Sequence, residues 1–98
     1  MKISEAPAIE YIDVKEKVEN CVLGVLHAIN PELAQNAVSF DENASLSNIY
    51  GINSISMVSL IMTIENETGI TFSESDLTFD NFFSIHSVAN LVLNKLTA

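Results

Sequence analysis

The chain has 98 residues, 48% of them hydrophobic and 17% charged, which supplies one modest core and leaves little length for a second domain. Four Lys and Arg against 13 Asp and Glu leave a formal net charge of −9. Such a surface argues against nucleic-acid and anionic-membrane binding and favours a protein partner with a basic patch.

Residues 1–10 read as a loose lead-in to a single domain spanning 1–98, with three acids before Val14 and no apolar run of the kind that marks a signal peptide. No stretch reaches transmembrane length, so a cytoplasmic protein is expected. From Tyr11 to Ile29 the helical period is sustained. Val14, Val18, Cys21, Val22, Val25, Leu26 and Ile29 fall on one face, Lys15, Glu16, Lys17 and Glu19 lie off it, and Asp13 stands near the start as a cap. Pro31 ends this helix, because the residue before a proline avoids helical angles.

Residues 30–53 read as a long loop rich in Asn, Ser and Asp. Leu33, Val38, Phe40, Leu46, Ile49 and Ile52 punctuate it, so it is expected to pack down and to include at most a short helical turn. A second helix is predicted over Ser54–Thr68, stopped by Gly69. Ile70–Phe72 is a short apolar piece with no partner strand in view. Ser73 and Asp76 pair as caps of a short helical turn, Asp80–Phe83 offers another, and Ser84 caps a last helix through Leu96 with Ile85, Val88, Ala89, Leu91, Val92 and Leu96 on its apolar face. The expected fold is all-α: a small four-helix bundle of three main helices and a short third one, with a long loop between helices 1 and 2.

The second main helix has two apolar stripes. Met57, Leu60, Ile61 and Ile64 gather on one side; Ile55, Val58 and Met62 form another more than a quarter-turn away, and Ser56, Ser59, Thr63 and Asn66 fill the remaining arc. Periodicity alone is compatible with a central helix packed on both sides and with an exposed stripe that docks a partner. The start of the helix is similarly double-valued. Ser54 follows a glycine turn and Asn53, where its hydroxyl either caps the helix or holds a phosphoester at the positive end of the helix dipole.

The segment Leu46-Ser47-Asn48-Ile49-Tyr50-Gly51-Ile52-Asn53-Ser54-Ile55 resembles the attachment segment of acyl and peptidyl carrier proteins. The run Leu60 to Ile70 is similar to that family's second helix and its exit. Asp76-Leu77 and Asn81-Phe82-Phe83-Ser84-Ile85 match its short third helix and the start of its last. The likeness covers residues 14–96. It implies that Ser54 carries 4′-phosphopantetheine, delivered from coenzyme A by a phosphopantetheinyl transferase, within an attachment turn that includes Gly51 and Asn53. The arm would hold acyl, aminoacyl or peptidyl groups as thioesters. A loading ligase and downstream synthases or synthetases would act on them, while this chain, a monomer and not an enzyme, would catalyse nothing. By position, Ile52, Ile55, Val58 and Met62 become the docking residues.

Two departures narrow this reading. The family most often has Asp before the serine, where this chain has Asn53. Typical fatty-acid carriers place acids along the exposed second helix, where this chain has Ser56 and Ser59. Docking is therefore expected to rest on apolar contact more than on salt bridges, as in a dedicated polyketide, nonribosomal peptide or related pathway rather than fatty-acid synthesis. The rival readings are a fatty-acid-synthesis acyl carrier, an interaction module that is never modified, and a small hydrolase or isomerase using Ser54 as nucleophile. Cys21 reads as a buried inert thiol and His27 and His86 as surface residues. Asp41-Glu42-Asn43 lacks the spacing and glycine of a calcium loop.

Overall fold

The structure, a computed structural model, describes residues 10–36 and 40–97. The lead-in 1–9 and Val38 lie outside the described residues. Four helices appear in the order α1 (Tyr11–Ile29), α2 (Pro31–Asn36), α3 (Ser54–Thr68) and α4 (Ile85–Thr97), with a 3-10 turn at Glu74–Asp76 and no strand among the described residues. Ile70–Phe72 is accordingly irregular, and the predicted second helix is α3.

The α1 period places Val14, Val18, Cys21, Val22, Val25 and Leu26 in the core. Its N-cap is Glu10, which makes no side-chain capping bond; Asp13 lies in the first turn, so its carboxylate faces the dipole and does not cap. Pro31 does more than end α1. It is the first residue of α2, where its missing N–H costs nothing and its fixed φ suits a helix start. The long loop thus begins with a six-residue helix. The short third helix expected near residues 76–83 is reduced to the 3-10 turn and the turns that follow it.

α1 packs against α2, α3 and α4 and is the helix around which the bundle is assembled. α3 contributes Leu60 and Ile64 to the core, with Met57 and Ile61 partly buried beside them. α4 adds Ile85, Val88, Ala89 and Val92. Gly69 ends α3 at φ 76°, a left-handed angle at which its N–H reaches the Glu65 carbonyl at 2.9 Å. Ser84 and Ser87 cap α4 reciprocally, each hydroxyl accepting the other residue's backbone N–H at 2.9 and 3.2 Å.

The loop before α3 is anchored at several points. Leu46 is fully buried, and its N–H donates to the Phe83 carbonyl at 2.8 Å. The Tyr50 ring meets Phe40 edge-on at 5.4 Å, and its hydroxyl accepts the Asp41 N–H at 2.9 Å. The His86 N–H donates to the Glu42 carbonyl at 2.8 Å. These bonds join the loop to the start of α4 and fix the approach to residue 54.

Candidate functional site

Gly51 opens the turn at φ 72°, a conformation that a side chain would strain although a Cβ would meet no atom within 4 Å. Ile52 then points inward, only 1% exposed, and its N–H donates to the Leu46 carbonyl at 3.1 Å. Ile52 was expected at a docking surface; it is a core side chain and supports the turn from beneath.

Asn53 is the N-cap of α3. Its side-chain oxygen accepts the N–H groups of Ile55 and Ser56, each at 3.0 Å, and the Ser56 hydroxyl at 3.0 Å. In return the Asn53 N–H donates to Ser56 Oγ at 2.9 Å, closing a capping box. The box accounts for Ser56 being buried, where the sequence had placed it on the exposed arc. It also separates the two uses of Ser54. With Asn53 as cap, Ser54 occupies the first helical position, exposed, and its hydroxyl has no hydrogen-bond partner among the described residues. No acidic residue lies in the first turn of α3, so the positive end of the helix dipole is not neutralised locally.

Two apolar surfaces flank this hydroxyl. One is the second stripe of α3: Ile55, Val58 and Met62 are 81%, 56% and 58% exposed. They are uncovered because α1, not α3, is the helix with neighbours on several sides. The other is a cleft of about 350 Å³ lined by Ser54 itself, Met57 and Ile61 of α3, and Leu77, Phe79 and Phe83 from the segment before α4. Phe79 and Phe83 meet edge-on at 5.8 Å.

The remaining candidates lie elsewhere. Cys21 is buried, and burial together with the nearby Glu67 charge pushes its thiol up to about 11. His27 and His86 are exposed, neither lines the cleft beside Ser54, and no group of three potential ligands among the described residues could hold a metal ion. His86 does join a cluster the sequence did not reveal. Tyr11 donates its hydroxyl to Glu42, its oxygen lies 2.7 Å from His86 Nδ1, and the two rings meet edge-on at 5.5 Å. The Tyr11 bond holds the Glu42 carboxyl below its usual range. Contacts across 31 and 75 residues leave no periodic signal that could have found them.

The bundle thus raises the Ser54 hydroxyl, without a hydrogen-bond partner among the described residues, at the first position of a capped helix, between an apolar stripe and an apolar cleft. The family described as "phosphopantetheine attachment site" matches residues 16–92 of this chain. The chain is 31% identical over 80 residues to aminoacyl carrier protein 2 of Bradyrhizobium diazoefficiens, covering 81% of this chain and 86% of that protein. It is 30% identical over 86 residues to aminoacyl carrier protein 1 of the same organism, covering 86% and 87%. No solved structure matches. The chain belongs to the phosphopantetheine-binding carrier family, whose members are carriers and whose cofactor is 4′-phosphopantetheine. Among the described residues no helix is long and apolar enough to cross a membrane.

Proposed function

We propose that Ser54 is the residue that carries the arm, and that this chain is a discrete monomeric carrier working in the cytoplasm and catalysing no step itself. The observation that supports it is the division of labour at the start of α3: Asn53 holds the cap, and the adjacent Ser54 hydroxyl is exposed and has no hydrogen-bond partner among the described residues. In loading, Ser54 Oγ forms a new P–O bond to the phosphorus that bears the pantetheine. The pyrophosphate bond of coenzyme A breaks, adenosine 3′,5′-bisphosphate leaves, and the hydroxyl proton passes to a base on the transferase. The helix N-terminus stabilises the phosphodiester so formed.

A loading ligase would then place an acyl, aminoacyl or peptidyl group on the arm's thiol. The relatives' names point to aminoacyl cargo as one member of that class. The partners would meet the stripe of Ile55, Val58 and Met62. Between Glu42 and Glu65 there is no charged residue, although the chain as a whole carries −9. The acidic charge therefore lies away from the attachment residue in sequence, and docking there is apolar, as suits a dedicated polyketide, nonribosomal peptide or related pathway.

The test is intact mass before and after incubation with coenzyme A and a promiscuous phosphopantetheinyl transferase, beside Ser54→Ala. One added arm is expected, absent in the variant, whose helical circular dichroism and melting stay near those of the parent. No added mass on folded protein with an active transferase would favour an unmodified interaction module instead.

A further inference from the structure

We infer that the side-chain amide nitrogen of Asn53 donates a hydrogen bond to the phosphodiester on Ser54, so that Asn53 is a positioning residue for the arm as well as the cap of α3. The inference rests on Ser54 as the attachment residue and names the group that orients the first atoms bound to it. A phosphodiester carries one negative charge on two non-bridging oxygens, and both accept hydrogen bonds. The donors this chain can offer them are few.

The cations are Lys2, Lys15, Lys17 and Lys95. Lys2 lies outside the described residues. Lys15 pairs with Glu19 at 4.0 Å and Lys95 with Asp76 at 2.6 Å. Lys17 acts on Cys21 together with Glu67, which stands in the last turn of α3, about 20 Å along the helix axis from Ser54. No described lysine is therefore both unpaired and at the Ser54 end of α3. The backbone offers little more. A helix start ordinarily leaves four N–H groups free. Here the Asn53 N–H donates to Ser56 Oγ at 2.9 Å, and those of Ile55 and Ser56 donate to Asn53 Oδ1 at 3.0 Å. The capping box thus leaves one backbone donor of the four, the Ser54 N–H, without a partner among the described residues. Because backbone N–H groups only donate, the Asn53 atom that receives them is its oxygen. The amide nitrogen is then the other branch of the same carboxamide, turned off the helix, with two protons and no partner among the described residues. Asn53 and Ser54 are consecutive, exposed and border the same opening, so this nitrogen lies beside the phosphate of a loaded chain. An aspartate at position 53 would keep the cap and set an anionic oxygen where the nitrogen stands, facing the phosphodiester with a like charge. Asparagine keeps the same cap and turns that repulsion into a bond.

The experiment uses the full chain labelled with nitrogen-15, before and after loading from coenzyme A by a phosphopantetheinyl transferase, with the thiol left free. NMR reads the Asn53 side-chain amide and the phosphorus of the arm. On loading, one Asn53 amide proton is expected to move downfield and to show a scalar coupling to phosphorus across the hydrogen bond. In Asn53→Asp and Asn53→Ser, which both retain a capping oxygen, the phosphorus resonance is expected to move toward its position in urea-unfolded loaded protein. The serine variant adds no charge, so a shift shared by both, at a melting temperature near the parent's, reports the lost donor and not the cap. Asn53 amide signals unchanged by loading would overturn the inference, as would a phosphorus resonance identical in the parent and both variants. A shift confined to the Ser54 N–H would overturn it too and give the phosphate to the backbone alone. Intact mass separates the two levels: mass gain without an Asn53 response removes the positioning role alone, whereas no mass gain removes the Ser54 assignment and this role with it.

Discussion

Asn53 turns its carboxamide oxygen into the first turn of α3 and accepts from Ile55, Ser56 and the Ser56 hydroxyl. Replacing an N-cap of this kind by alanine costs about 1 kcal/mol. Asn53→Ala is therefore expected to lower the unfolding free energy by that amount, whereas Asn53→Asp, which keeps the acceptor and adds charge at the positive end of the helix, is expected to match or slightly exceed the parent's stability. Urea titration of the two variants checks the pair. An equal loss in both would mean that the amide nitrogen, not the oxygen, holds the turn. Cys21 gives a second residue-scale expectation. Its thiolate is disfavoured by burial and by Glu67, and its thiol titrates at about 11. A thiol reagent at pH 8 should leave it unmodified in the folded apo protein and modify it fully in denaturant, so that the terminal thiol of the arm would be the one reactive thiol of a loaded sample.

At the scale of the element, α3 has one face in the core and one in solvent. Leu60 is fully buried on the helix that packs against α1, and Leu60→Ala removes apolar contacts and leaves a cavity, a loss of roughly 2–5 kcal/mol. Met62 lies two residues further on and is mostly exposed. Met62→Glu is expected to leave the melting temperature within a few degrees of the parent while weakening turnover by a partner enzyme acting on the loaded carrier. Calorimetry on both variants, with a transfer assay on the second, separates core from surface; unfolding by Met62→Glu would place the second stripe in the core after all.

At the scale of the whole molecule, distant segments are tied by a few charged contacts. Lys95 near the end of α4 reaches Asp76 of the 3-10 turn at 2.6 Å, and the Ser73 N–H reaches the same carboxylate oxygen at 2.7 Å. Lys95 first, and the Ser73 N–H second, bring the Asp76 carboxyl down to about 2. Because the folded value lies below the unfolded one, this contact stabilises the protein above the ordinary carboxylate range and is lost as pH falls toward 2. NMR titration of Asp76 should show the low midpoint in the parent and a rise toward the ordinary range in Lys95→Met, with acid unfolding of the variant beginning at a higher pH.

Much of this protein is local and therefore legible in its sequence. The apolar period of α1 and α4 marks their buried faces, apart from Ile29 at the end of α1, which is exposed because it lies in the last turn, next to the chain's departure into α2. The caps at Gly69, Ser73, Ser84 and Asn53 are legible because each is closed by bonds within four residues. What sequence could not decide was anything that depends on which neighbour covers a surface. The two stripes of α3 have the same period whether α3 or α1 is central, so only the packing shows that Ile55, Val58 and Met62 face solvent. Ser56 and Ile52 were assigned by helical angle and by position; a reciprocal cap and an inward turn bury them instead. Pro31 was read as a stop because its effect on the preceding residue is certain, while its aptitude for starting a helix is expressed only where the chain after it packs on α1. The cleft beside Ser54 and the Tyr11–Glu42–His86 cluster join side chains far apart in the chain, and no local pattern encodes such meetings. Local spacing and caps mark α1, α3, α4 and the serine at the start of α3, but not α2 or the reduction of the short third helix to a 3-10 turn; packing sets which faces are open, because exposure belongs to an arrangement of elements and not to any one of them.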